Sequence, residues 1–178
     1  MLKNFGFKHK SGILMSISSL PSKYGIGTFG KEAYDFVDFL DKTKQKCWQV
    51  LPLNPTSYGD SPYQSPSSVA GNPYFIDPYI LYKEGLLTLS ELESVECSRS
   101  TIDYGNLFNT RYKMLKCAFN RFTISDAYTK FEKENASWLD DYALFMSLKE
   151  HHNFLEWTKW DKKYQSIESA RTYINEFE

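Results

Sequence analysis

Cysteine is scarce in this chain: Cys47, Cys97 and Cys117 are the only three in 178 residues. Odd in number, far apart and without a CxxC pair, they exclude a disulfide framework and a cysteine-built zinc site. Thiols kept reduced in a cytoplasmic setting are the expectation. An excess of charge of one sign is also missing, since 21 Lys plus Arg stand against 22 Asp plus Glu and the net charge is -1. So balanced a chain has no electrostatic footprint for nucleic acid or an anionic membrane, and neither is expected as a partner. Long apolar runs are lacking too. Lys3, Lys8, His9 and Lys10 break up the first ten residues, which removes the form of a signal peptide, and no stretch reaches the length of a membrane span. A soluble single domain, long enough to bury its own core, is the default.

What the chain has in quantity is aromatic side chains, 17% of its residues as 13 Tyr, 13 Phe and 4 Trp. Many stand in polar surroundings where a core needs no ring. That suits carbohydrate, whose C–H faces pack on rings while its hydroxyls seek polar partners, and it also suits an aromatic core.

Hydrophobic patterning orders the first half. The run ILMSI, Ile13 to Ile17, reads as a short buried strand followed by the loop-like SSLPSKYGIG. From Lys31, KEAYDFVDFLDKTKQ places Ala33, Phe36, Val37 and Leu40 at i, i+3, i+4 and i+7, which predicts an amphipathic helix. CWQVLPL, Cys47 to Leu53, reads as a second buried strand that ends at Pro52 and Pro55. Strand, helix, strand is the βαβ unit, so an α/β fold with a parallel sheet is expected. Residues 78–92, 106–122 and 137–151 then show helical spacing, with connectors expected at 94–104 and 157–164.

Beyond the second strand lies YGDSPYQSPSSVAGNPYFIDP, residues 58–78, a non-periodic stretch with three tyrosines, four prolines and two glycines. Loops of this length are functional or disordered, and the aromatic content argues for order. Ligands in α/β folds bind beyond the carboxyl ends of strands. Tyr58, Asp60, Ser61, Tyr63 and Gln64 together offer rings for a sugar face and polar groups for hydroxyls. A loop packed by its own aromatics is the alternative.

Two other constellations carry less. GIGTFG, Gly25 to Gly30, satisfies the dinucleotide-binding glycine pattern ahead of a helix. Seven residues, Ser18 to Tyr24, separate it from the first strand, however, and the second strand closes on Leu53-Asn54-Pro55 without a ribose-binding acid. Turn formation and close helix packing explain the glycines more simply. His151 and His152 are adjacent and diverge by about 100° on a helix, so they do not form an i, i+4 metal pair. Asp140 with Asp141, and Asp38 with Asp41, read as solvated helix faces.

The segments SGILMSISSLPSKYGIGTFGKEAYDFVDFL, WQVLPLNPTSYGDSPYQS and AGNPYFIDP resemble, in order, the N-terminal part of the 4-α-glucanotransferases, the amylomaltase or disproportionating-enzyme family. IDYGNLFNTRYKMLKCAF and WLDDYALFMSLKEHHNFLEWTKW are similar to the family's next helical segments. The resemblance implies the N-terminal portion of a (β/α)8 TIM barrel with an inserted, mainly helical subdomain. It places the first βαβ unit and its sugar-contacting loop at 1–80 and the insertion at 81–178. It further implies transfer of α-1,4-glucan segments between malto-oligosaccharides by a retaining double displacement, without metal or organic cofactor.

By position, the resemblance assigns Ser61 and Tyr63 to sugar contact at the cleavage subsite, with Asp60 and Gln64 beside them. It assigns Tyr58, with Tyr104 as partner, to a secondary glucan site. Ser16 stands where the family often has His, and Pro66 and Val69 stand where an aromatic is common. The family's catalytic carboxylates lie further along than Glu178, and a barrel of this kind takes about 250 residues. The chain is thus expected to be an incomplete barrel, inactive alone. A non-catalytic glucan-binding remnant is the alternative, and a dinucleotide-binding domain ranks behind both.

Overall fold

A computed structural model describes residues 10–97 and 101–173. Two strands, β1 (Gly12–Leu14) and β2 (Cys47–Gln49), flank helix α1 (Lys31–Lys42). They pair in parallel with Gly12 opposite Cys47, Ile13 opposite Trp48 and Leu14 opposite Gln49. Hydrogen bonds from Lys46 N–H to Ser11 O (2.9 Å) and from Met15 N–H to Gln49 O (3.0 Å) extend the ladder by one step at each end. The expected βαβ unit is present, with shorter strands than the apolar runs suggested. The run 13–17 does not continue as strand: the chain turns at Ser16 into a 3₁₀ turn over Ile17–Ser19. Having lost that neighbour, residues 50–53 leave the ladder, and Leu53 O accepts instead from Asn72 N–H at 2.8 Å.

Helix α1 keeps the predicted period, but only Ala33 and Leu40 are buried. Phe36 packs edge-on against Trp48 with ring centroids 4.8 Å apart. Val37, expected on the core face, is half exposed. Lys44, at φ 58°, enters the left-handed region as the chain leaves the helix.

The chain divides into two compact units, 1–123 and 124–178. In the first, the stretch 78–92 forms two helices rather than one, α2 (Pro78–Lys83) and α3 (Leu89–Ser94). Asp77 caps α2, and Thr88 with Glu91 forms a capping box on α3. Helix α4 (Tyr104–Arg121) is the long element of this unit. Its Leu107 joins the core of Ile17, Leu20, Ile26, Ala33, Tyr74 and Phe75, and its Met114 and Ala118 join a second core around Tyr24, Leu87, Leu92 and Val95. Arg121 closes α4 onto α3 with a two-pronged bond to Glu91, both arms at 2.9 Å.

The second unit contains α5 (Asp126–Asn135), α6 (Leu139–His151) and α7 (Ile167–Thr172). Helix α5 lies outside the stretches where helical spacing was expected, and none of its residues is buried. The stretch 157–164, expected as a connector, instead supplies core: Trp160 and Tyr164 are buried beside Leu144, Leu148 and Ala170. These residues, with Trp157, line a cavity of about 300 Å³. His152 stacks on Trp160 at 5.1 Å, and its Nδ1 lies 2.9 Å from Leu148 O, so the histidine pair closes a helix end. Among the described residues no helix is long and apolar enough to cross a membrane.

Candidate functional site

The loop beyond β2 is ordered by its own backbone. Ser57 N–H donates to Gln64 O, Asp60 N–H to Ser57 O and Gln64 N–H to Ser61 O, each at 3.0 Å. Residues 57–64 therefore close into a ring. Gly59 at φ 92° and Asp60 at φ 57° make the reversal, the left-handed region being one that Asp tolerates better than most side chains. Serine turns carry the chain on: Ser65 Oγ donates to Ser67 O (2.6 Å), and Ala70 N–H donates to Ser67 Oγ (3.0 Å). The return is tied to the chain that follows β2. Asn72 N–H donates to Leu53 O at 2.8 Å and Asn54 Nδ2 to Ala70 O at 3.1 Å.

This geometry decides which predicted site residues come together. Tyr58 is 100% and Tyr63 74% exposed, so both rings stand free of the core on the closed ring, next to exposed Gln64 and half-buried Ser61. The alternative of a loop packed by its own aromatics does not hold for these two rings. Tyr74, at the far end of the same stretch, does pack inward, against Tyr104 (6.4 Å) and Tyr112 (5.9 Å). Burial, and then the nearby Asp60 charge, raises the Tyr104 phenol above its ordinary value. Burial is also the largest influence raising Tyr74, to which Tyr112 and Asp60 add. Asp60, itself raised by partial burial, thus lies within electrostatic reach of both phenols. Tyr58 and Tyr104 make no ring contact with each other.

The glycine turn packs rather than binds. Gly27 N–H donates to Ser18 O at 3.1 Å, and Gly30 begins α1 without a side-chain cap. Among the described residues no group of three His, Cys, Asp or Glu is placed to hold a metal ion.

Sequence reasoning missed a buried polar cluster at the loop's root. Thr28, Asp77 and Arg111 are 0%, 5% and 1% exposed. Thr28 Oγ1 donates to Asp77 Oδ2 at 2.5 Å, and Arg111 donates to Tyr24 O (3.0 Å) and Ile76 O (3.3 Å). A signal existed. Arg111 shares the α4 stripe of Leu107, Met114 and Ala118, where a charge is out of place unless it is satisfied inside.

The chain matches the 4-alpha-glucanotransferase family over residues 15–177, and it belongs to that family. It is 49% identical over 168 residues to a 4-alpha-glucanotransferase of Clostridium butyricum, covering 91% of this chain and 34% of the relative. Its identity to that of Thermus thermophilus is 44%, covering 84% and 30% respectively. Among solved structures, an amylomaltase from Streptococcus agalactiae in complex with acarbose superposes with a TM-score of 0.86 at 41% identity, over 96% of this chain and 36% of that one. The chain spans about a third of the length of the curated relatives it matches. Family membership displaces the dinucleotide reading of the glycine turn.

Proposed function

We propose that this chain supplies the sugar-contacting N-terminal portion of a 4-α-glucanotransferase, a (β/α)8-barrel enzyme acting on malto-oligosaccharides and other α-1,4-glucans. Residues 1–80 act as its first βαβ unit and 81–178 as its mainly helical insertion. The single observation that carries the reading is the closed ring 57–64, which holds Tyr58 and Tyr63 exposed beyond the carboxyl end of β2 in a chain of this family.

The chemistry follows from what the ring can present. A glucose unit offers an apolar C–H face and a rim of hydroxyls, which a tyrosine ring and adjacent Ser61, Gln64 and Asp60 groups complement. Tyr63 and Ser61 hold the sugar at the cleavage subsite, and Tyr58 with Tyr104 holds glucan at a secondary site. Bond cleavage by a retaining route takes two carboxylates, one forming and releasing a glycosyl ester and one acting as acid and then base. The acids near this loop are not such a pair. Asp77 is buried and bonded to Thr28 and to the Ile80 N–H, while Asp60 serves the turn. The ring therefore binds and orients, and the bond-making carboxylates belong to the remaining two thirds of the relatives' length.

That same observation favours a second reading, in which the 178-residue chain binds glucan without turnover. Two measurements separate them. Tyr63→Ala in a transfer-competent protein lowers maltotriose disproportionation by about tenfold or more, the loss of one ring contact of roughly 1.4 kcal/mol; undiminished glucose release would remove the loop from the site. Titration of the 178-residue chain with maltoheptaose gives binding heat without product on either reading, and transfer is recovered only on the first, when the remaining two thirds of the relatives' length is present.

A further inference from the structure

We propose that Thr28 and Arg111 are positioning residues for the glucan loop, forming with Asp77 a buried clamp that fixes the loop's returning segment to the glycine turn and to α4. The proposal rests on the reading of residues 57–64 as the sugar-contacting ring.

The donors and acceptors of the clamp divide by origin. Phe75 O, Ile76 O and the Asp77 carboxylate all belong to the loop's return, and all accept. Their donors come from the scaffold: Phe29 N–H to Phe75 O at 2.9 Å, Arg111 Nη1 to Ile76 O at 3.3 Å, and Thr28 Oγ1 to Asp77 Oδ2 at 2.5 Å. The other Asp77 oxygen accepts the Ile80 N–H at 3.0 Å and caps α2. The second arm of Arg111 reaches Tyr24 O at 3.0 Å, just before the glycine turn. One guanidinium thus ties two chain segments to α4. The fit leaves no slack, because a Cβ at Gly30 would lie 2.0 Å from Asp77 Oδ2.

Stability alone is a poor reason for such a cluster. Buried charged groups seldom outperform apolar residues of the same volume, since their desolvation offsets what their partners return. Burial indeed pushes the Arg111 guanidinium down to about 10, against the opposing influence of Asp77. What the cluster does supply is direction, because a planar fork and a short hydroxyl–carboxylate bond accept few geometries.

That direction is passed on. Residues 75–77 adjoin Tyr74, whose ring packs on Tyr104 and Tyr112, and Phe75 N–H donates to Asn72 O at 3.1 Å while Asn72 N–H donates to Leu53 O at 2.8 Å, on the chain that leads into the sugar ring. A loop held this way has already lost the freedom it would otherwise lose on binding glucan.

The test compares Thr28→Val, which removes the hydroxyl and keeps the shape, with Thr28→Ser, which keeps the hydroxyl. Two readouts are taken on the 178-residue chain: maltoheptaose affinity by calorimetry, and amide exchange at Ser57, Asp60 and Gln64 against amides within α1. The expected result is about tenfold weaker binding and about tenfold faster exchange at the three loop amides in Thr28→Val. The α1 amides are unchanged, and Thr28→Ser stays within twofold of the parent. Equal acceleration of loop and α1, or an unaffected loop, would overturn the positioning role. Should Thr28→Val not fold, Arg111→Lys is read by the same measures, since it keeps the charge and loses the fork. If the parent chain binds no maltoheptaose, the glucan reading of the loop fails, and loop exchange still decides the clamp.

Discussion

The glycine turn offers a sharp test of packing, because the same change at two of its positions meets opposite surroundings. A Cβ added at Gly27 would lie 1.9 Å from Ile17 O, 2.9 Å from Leu20 N and 3.0 Å from Ile17 C, all of them backbone atoms. Carbon and carbonyl oxygen approach no closer than about 3.3 Å even in favourable contacts, so the 3₁₀ turn must withdraw by more than an ångström. Gly27 N–H to Ser18 O, now 3.1 Å, would pass out of hydrogen-bonding range. Ile17 and Leu20, 2% and 4% exposed, would move with the turn. A buried bond lost at about 1–3 kcal/mol and overpacking at about 1–3 kcal/mol predict about 4 kcal/mol for Gly27→Ala. Against a typical domain stability of about 5–15 kcal/mol, that is a large fraction. At Gly25 the nearest atom to an added Cβ is a leucine methyl at 3.6 Å, and the obstacle is the left-handed φ of 79°. Gly25→Ala is therefore expected to lose only about 1–2 kcal/mol. Urea unfolding followed by circular dichroism measures both. A Gly27→Ala variant within 1 kcal/mol of the parent, or a Gly25→Ala variant less stable than it, would refute the reasoning.

Other expectations concern α3 and α4. Arg121 first, and then the Thr88 N–H, hold the Glu91 carboxyl down to about 2 from the usual 4.5. Its contribution is present above pH 4.5 and is lost as pH falls towards 2, so the melting-temperature deficit of Glu91→Gln should shrink through that window and be gone at its acid end; a deficit constant with pH would contradict it. Leu107→Ala removes a side chain that is 3% exposed in the first core and should lower stability by about 2–5 kcal/mol, with Leu107→Met below about 1.5. Equal losses in the two variants would show that volume at this site is not what matters.

Local signals made part of this structure legible. Helix α1 was readable because four apolar residues kept one period, whereas the capping box of α3, Thr88 with Glu91, was not read. The break between α2 and α3, where Gly85 takes a φ of 76°, was not read, because the apolar spacing ran across it. Strand ends were not readable, since the end of β2 depends on where β1 turns away at Ser16, a partner decision rather than a local one. In the site, the prolines and glycines of 58–78 announced a loop able to order without periodic structure, and the hydrogen bonds that close 57–64 agree with it, whereas of its three tyrosines only Tyr74 packs inward. The clamp was hidden by separation. Thr28 and Asp77 lie 49 residues apart, and nothing local to either names the other.

The two tyrosines proposed for the secondary glucan site differ in what else depends on them. Tyr104 opens α4 and packs on Tyr74, so a change there touches the core as well as any ligand. Tyr58, wholly exposed, is held by nothing that the fold requires. On the proposed reading, substitutions at Tyr58 would be screened by ligand alone, leaving that position open to drift or to retuning for glucans of another length, while Tyr104 stays where the architecture needs it. Variation among natural sequences should accordingly concentrate on the exposed member of the pair.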